Sequence, residues 1–157
     1  MTPTKRMLSL AYALGRERLF STRMLIMLPV LILFIPGMAW GFSDPNIQLP
    51  AEQVPENATE TMFLASIGIV FAGTMAAVLI AHDGISRDRA SGVLEVRLSQ
   101  PMPRWRQGFT LVVGHWVSVA FPVTLLLLFG MFLVGYRTGM WIPVIDASIY
   151  IIAAMLV

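Results

Sequence analysis

Apolar residues in this chain come in long unbroken runs, and polar residues are confined to the segments between them. From Met24 to Phe42 there is no charged residue, a run of about 28 Å as a helix against a hydrocarbon thickness of about 30 Å. A second uncharged run covers residues 61–81 and a third covers 108–136. Each predicts a membrane-spanning helix, because a helix satisfies its own backbone inside lipid. The third is roughly 44 Å long if wholly helical, so it must tilt, begin in the interface or bend, and Pro122 is the expected bend. A final apolar stretch, 147–157, reaches only about 16 Å and reads as the start of a fourth span that the chain leaves incomplete. The pattern predicts an all-α, polytopic membrane fold in one domain, 1–157, with about three full transmembrane helices and a truncated fourth.

Composition removes the soluble alternatives. The chain is 57% apolar and 13% charged, whereas a soluble domain needs about 25% charged residues to cover itself. It has no Cys, which excludes disulfide scaffolds, thiolate metal sites and cysteine nucleophiles together. Charge placement then orients the spans. Residues 1–23 hold five bases against Glu17, residues 82–107 hold five more, and Arg137 is the only other base. Short basic segments stay cytoplasmic, and two spans separate these two, so charge and hydropathy agree on a cytoplasmic N-terminus. The segment 43–60 carries Asp44, Glu52, Glu56 and Glu60 with Pro45, Pro50 and Pro55, and reads as an acidic extracytoplasmic loop. The basic start is also compatible with a cleaved signal peptide, but the apolar run is long for one and contains Pro29 and Pro36. Residues 7–20 place Met7, Leu10, Ala11 and Leu14 on one helical face, as in a helix lying in the headgroup layer, although Gly15 weakens that pattern. A basic tail that merely fixes topology remains open.

Few residues carry chemistry. No GxxxxGK[ST], HExxH or GxSxG occurs, so no catalytic, cofactor-binding or metal site is expected, and the partners expected are membrane lipids and protein, not nucleic acid. Glu52, Glu56 and Glu60 would align on an unbroken helix, but Pro55 interrupts it and a solvated acidic face is the plainer reading. Asn57-Ala58-Thr59 matches a glycosylation triplet too common to bear weight. Gly37 and Gly41 form a GxxxG, and Gly73, Ala77 and Ala81 a small-residue stripe; both are candidate helix-packing positions. His115 lies near the start of the third run beside Trp116, where an imidazole can sit at headgroup level.

The insert 82–107 is the most specific segment. Val93, Leu94 and Leu98 recur at helical spacing among Arg89, Glu95 and Arg97, so a short amphipathic helix can lie across the membrane face until Pro101 and Pro103 stop it. An interfacial loop helix without a partner satisfies this pattern equally well. The residues Arg87-Asp88-Arg89, Ser91-Gly92-Val93-Leu94-Glu95, Leu98-Ser99-Gln100-Pro101 and Arg104 resemble the permease subunits of type-2 ATP-binding-cassette transporters. There a pattern of the form E-R-x-x-G-T-L-E-x-L-L-S-x-P-x-x-R lies between the second and third membrane helices. Asp88 stands where Glu is usual, Val93 where Thr is usual, and Gly114-His115 where Gly-Lys is common. Three spans and a fraction, against the family's six, suit the N-terminal part of one permease. The resemblance implies an exporter in the cell membrane with no ATPase of its own, a separate ATP-binding-cassette ATPase that holds ATP and Mg, and a second permease copy or paralogue. It implies that Arg87, Asp88, Arg89, Gly92, Val93, Leu94, Glu95, Pro101 and Arg104 belong to a cytoplasmic coupling helix and loop docking on that ATPase. No residue selects a substrate. The rival reading is a small structural or regulatory membrane protein that moves nothing.

Overall fold

The computed structural model describes residues 3–46, 55–82, 89–90, 92 and 103–156. Among them the fold is helical, with no strand. Five helices follow in order: α1 (Pro3–Leu19), α2 (Thr22–Phe42), α3 (Ala58–Ala81), α4 (Arg104–Thr138) and α5 (Val144–Leu156). Helices α2, α3 and α4 are long and apolar enough to cross a membrane, and α5 is a shorter apolar helix.

Helix α2 starts at Ser21, whose Oγ accepts the Met24 amide at 3.3 Å, satisfying one of the donors a helix start leaves open. Pro29 lies within its α-helical part and Pro36 within a π-helical turn, Leu33–Gly37. Proline has no N–H and its ring crowds the preceding turn, and one wide turn relieves both. Gly37 completes the turn, since a Cβ there would lie 3.2 Å from the Ile32 carbonyl oxygen.

A buried stripe of Met62, Ala65, Ile69, Ala72, Ala76 and Ile80 on α3 faces Met27, Leu31, Ile35 and Ala39 of α2 and Val123, Leu127 and Val134 of α4. The α3 stripe repeats at steps of three and four, the spacing of a helix seam. Phe63, Ile67, Phe71, Phe121, Leu125 and Phe129 point outward and are exposed, as a lipid-facing surface requires. The closest approach is at Gly68, where a Cβ would fall inside contact of the Phe34 carbonyl oxygen and 2.5 Å from Met38 Sδ. The π-helical turn of α2 thus sits on a glycine of α3.

Helix α4 runs unbroken through Pro122, which is buried, so the expected bend does not interrupt it. Its 35 residues correspond to about 52 Å, and the surplus lies at its start, where α1 packs along it. A Cβ on Gly114 would be 3.0 Å from Leu14 Cβ, and one on Gly15 would be 3.3 Å from the Gly114 carbonyl oxygen. The inward face of α1 is Ala11, Gly15 and Arg18, whereas Leu10 is exposed. Gly15, a flaw in a purely headgroup-lying helix, is therefore the point at which α1 meets α4.

Candidate functional site

Polar groups gather at the two ends of the bundle. At one end α3 terminates at Ala81 and leaves its last carbonyls without helical partners. Arg23, at the start of α2, supplies them: its Nη1 donates to the Leu79 oxygen at 3.1 Å and to the His82 oxygen at 2.5 Å. The start of α2 and the end of α3 therefore share one end, and the guanidinium meets the negative pole of a helix. This contact anchors the segment 82–107 where it leaves the bundle.

The segment returns at Pro103, whose carbonyl accepts from the Arg106 and Gln107 amides at 3.0 and 3.3 Å. Arg104 and Arg106 stand in the first turn of α4, which holds no acid, and the Arg106 guanidinium lies 5.2 Å from the Trp105 ring centre. Two cations at the positive pole of a helix repel each other and the pole, so this corner favours an acidic partner.

Of the coupling residues expected from sequence, Arg89, Gly92 and Arg104 are described; Arg87, Asp88, Val93, Leu94, Glu95 and Pro101 lie outside the described residues. Arg89 and Arg104 are exposed. Gly92 has φ +72°, with its amide on the Arg89 carbonyl at 3.1 Å. The left-handed turn explains the residue type, because a side chain there costs about 1–2 kcal/mol. Of the packing positions, Gly73 is buried and Ala77 is packed against the core. Gly37 and Gly41 face outward, and a Cβ on Gly41 would meet nothing within 4 Å. Within this chain the close helix approaches run through Gly68 and through Gly15 with Gly114 instead.

The opposite end carries a cluster absent from the sequence reading. Arg137, in the last turn of α4, donates from Nη1 to the Trp40 carbonyl at 2.9 Å and from Nη2 to Asp44 Oδ2 at 3.2 Å, and lies 4.1 Å from the Trp40 ring centre. The Asp44 carboxyl is held below its ordinary value, first by the Asn46 amide and then by Arg137. The one base outside the two basic segments is thus paired with an acid of the 43–60 segment. Nearby, Asn57 caps α3 by accepting the Glu60 amide at 2.9 Å, while the Glu60 carboxylate accepts from Asn57 Nδ2 at 3.1 Å and from the Glu56 amide at 2.7 Å, a variant of the capping box. Asn57 and Glu60 thus have structural tasks at a helix start. Thr59 donates to Asp146 Oδ2 at 2.9 Å, and Tyr150 donates to the Thr59 carbonyl at 3.0 Å, tying α5 to α3. On α4, Trp116 Nε1 donates to the Met155 carbonyl at 2.6 Å.

The described residues contain no group of acids and histidines placed to hold a metal ion. The family model described as ABC-2 family transporter protein matches residues 11–157, all but the first ten. The chain belongs to the ABC-2 transporter family. No curated protein and no solved structure matches it. As an ABC-2 protein with three helices long enough to span, it is a multi-pass membrane protein and a permease component of an ABC transporter. The two polar ends are then the two membrane faces.

Proposed function

We propose that this ABC-2 permease is a cell-membrane exporter subunit with no ATPase activity of its own, driven by a separate ABC ATPase that docks on residues 82–107. The family match over residues 11–157 carries the reading. Two features support the docking face. Arg23 fixes the point where the segment leaves α3, so movement there reaches α2 and α3 together. Arg104 and Arg106 concentrate positive charge where the segment meets α4, which suits an acidic rim on a partner. ATP and Mg belong to that partner. In this reading Leu94 and its apolar neighbours fill a groove of the ATPase, and Arg89 and Glu95 set the register through charged hydrogen bonds. The N-terminus and residues 82–107 face the cytoplasm, as their ten bases suit. A second permease copy completes the pathway.

Gentle solubilisation from the native membrane with an affinity tag on this chain tests the reading. A co-purifying chain with GxxxxGK[ST], and ATP hydrolysis in the eluate that vanishes without it, is the expected result. A stable complex that reaches the eluate with no such ATPase would sink it.

A further inference from the structure

Between α3 and α5 lies an open cleft of about 350 Å³, within the roughly 300–1,000 Å³ of ordinary ligand pockets. Its walls are largely apolar: Phe63, Ile69 and Val70 on α3, with Ser66 between them donating its hydroxyl hydrogen to the Phe63 carbonyl, and Ile149, Ala153 and Ala154 on α5. Thr59, Asp146 and Tyr150 also line it, and they are the residues that hydrogen bonds join. The direction of those bonds decides what they offer. The Thr59 hydroxyl hydrogen is committed to Asp146 and the Tyr150 hydroxyl hydrogen to the Thr59 carbonyl. All three side chains are left with acceptors: a carboxylate and two hydroxyl oxygens.

Charge points the same way. Among the described residues Asp146 has no basic partner, and from residue 24 to residue 86 and from 107 to 157 the sequence holds one Lys or Arg, Arg137. That base is engaged by Asp44 and Trp40. The starts of α3 and α5 each bring about half a positive charge, but Glu60 occupies the first turn of α3 and Asp146 that of α5, so the acids outweigh the poles. An anion would be repelled. A primary ammonium has three donors and no acceptor, the complement of one carboxylate and two hydroxyl oxygens.

We propose that this cleft binds a membrane amphiphile through a primary ammonium headgroup, with Asp146, Thr59 and Tyr150 accepting from it and the apolar walls holding its chain. The site is independent of ATP coupling, and its test needs no ATPase.

The protein is placed in phosphatidylcholine nanodiscs and photolabelled with a dodecylamine bearing a mid-chain diazirine. Label is expected on α3 and α5, displaced by unlabelled dodecylamine and at least about tenfold less well by dodecanol, which lacks the charge, or by dodecyltrimethylammonium, which lacks the donors. Asp146→Asn keeps an oxygen for Thr59 but loses the charge, and should weaken labelling about tenfold or more. Tyr150→Phe, with almost no change of volume, should weaken it several-fold, and Ala153→Phe should fill the cleft and exclude the chain. Circular dichroism at wild-type helicity qualifies each variant. Replacing phosphatidylcholine by phosphatidylethanolamine identifies the source: protection makes a lipid headgroup the occupant, and undiminished labelling makes it a free alkylamine. Equal competition by dodecanol, or wild-type labelling of both Asp146→Asn and Tyr150→Phe, would overturn the proposal.

Discussion

Gly68 offers the sharpest test of the packing. An added methyl would fall within contact of the Phe34 carbonyl oxygen and 2.5 Å from Met38 Sδ. The thioether can swing aside, but the carbonyl belongs to the backbone of the π-helical turn and moves only with it. Overpacking of this kind costs about 1–3 kcal/mol, and replacing glycine by alanine within a helix returns about 1 kcal/mol. Because the clash is with a backbone atom, the upper part of that range applies, about 2–3 kcal/mol, and Gly68→Ala should destabilise by about 1–2 kcal/mol net. Gly41→Ala on α2 is the matched control, because the same methyl meets nothing within 4 Å and only the propensity gain of up to about 1 kcal/mol remains. Reversible unfolding of the detergent-solubilised protein by sodium dodecyl sulfate, followed by tryptophan fluorescence, would compare the two. A Gly68→Ala protein at least as stable as wild type, or a Gly41→Ala protein equally damaged, would refute the crossing of α2 and α3 described here.

Arg137→Lys should loosen the end of α4, because an ammonium cannot serve the Trp40 carbonyl, Asp44 and the Trp40 ring together; thermal unfolding with a wild-type midpoint would contradict this. The Asp44 carboxyl titrates below its ordinary 3.8 in the folded chain, so its contribution is complete above that value and lost as pH falls through the lower folded one. The stability difference between wild type and Asp44→Asn should accordingly be constant near neutrality and disappear in acid below 3.8; a difference that grows in acid would reverse the assignment. Single cysteines at Gln48 and Ser91, introduced into this cysteine-free chain, should label from opposite sides of the membrane, Gln48 from outside. Labelling of both from one side would break the two-span reading between them.

The spans were legible because hydrocarbon imposes a length and excludes charge, and both are visible in a one-dimensional pattern. The uncharged runs 24–42, 61–81 and 108–136 lie within helices Thr22–Phe42, Ala58–Ala81 and Arg104–Thr138. The contacts between helices were less legible. Several glycines in the spans satisfy a small-residue motif, but which one meets a neighbour depends on helix rotation, and the π-helical turn of α2 resets that rotation part-way along the helix. Gly37 and Gly41 consequently face outward while Gly68, part of no motif singled out in the sequence, receives the contact. Gly15 and Gly114 lie 99 positions apart, and nothing in either neighbourhood announces the other. Arg137 was visible as the odd base, and its partners Asp44 and Trp40 became visible only when the ends of α2 and α4 were brought together.

Residues 82–107 are the proposed face through which an ATPase drives this permease. The most direct measurement is ATPase capture by the tagged protein carrying Leu94→Asp, beside wild type, with membrane insertion checked in the same preparation. A carboxylate forced into an apolar groove costs several kcal/mol, so the account predicts normal insertion with capture reduced by at least about a hundredfold, roughly 3 kcal/mol or more. Capture by Leu94→Asp at the wild-type level would contradict it.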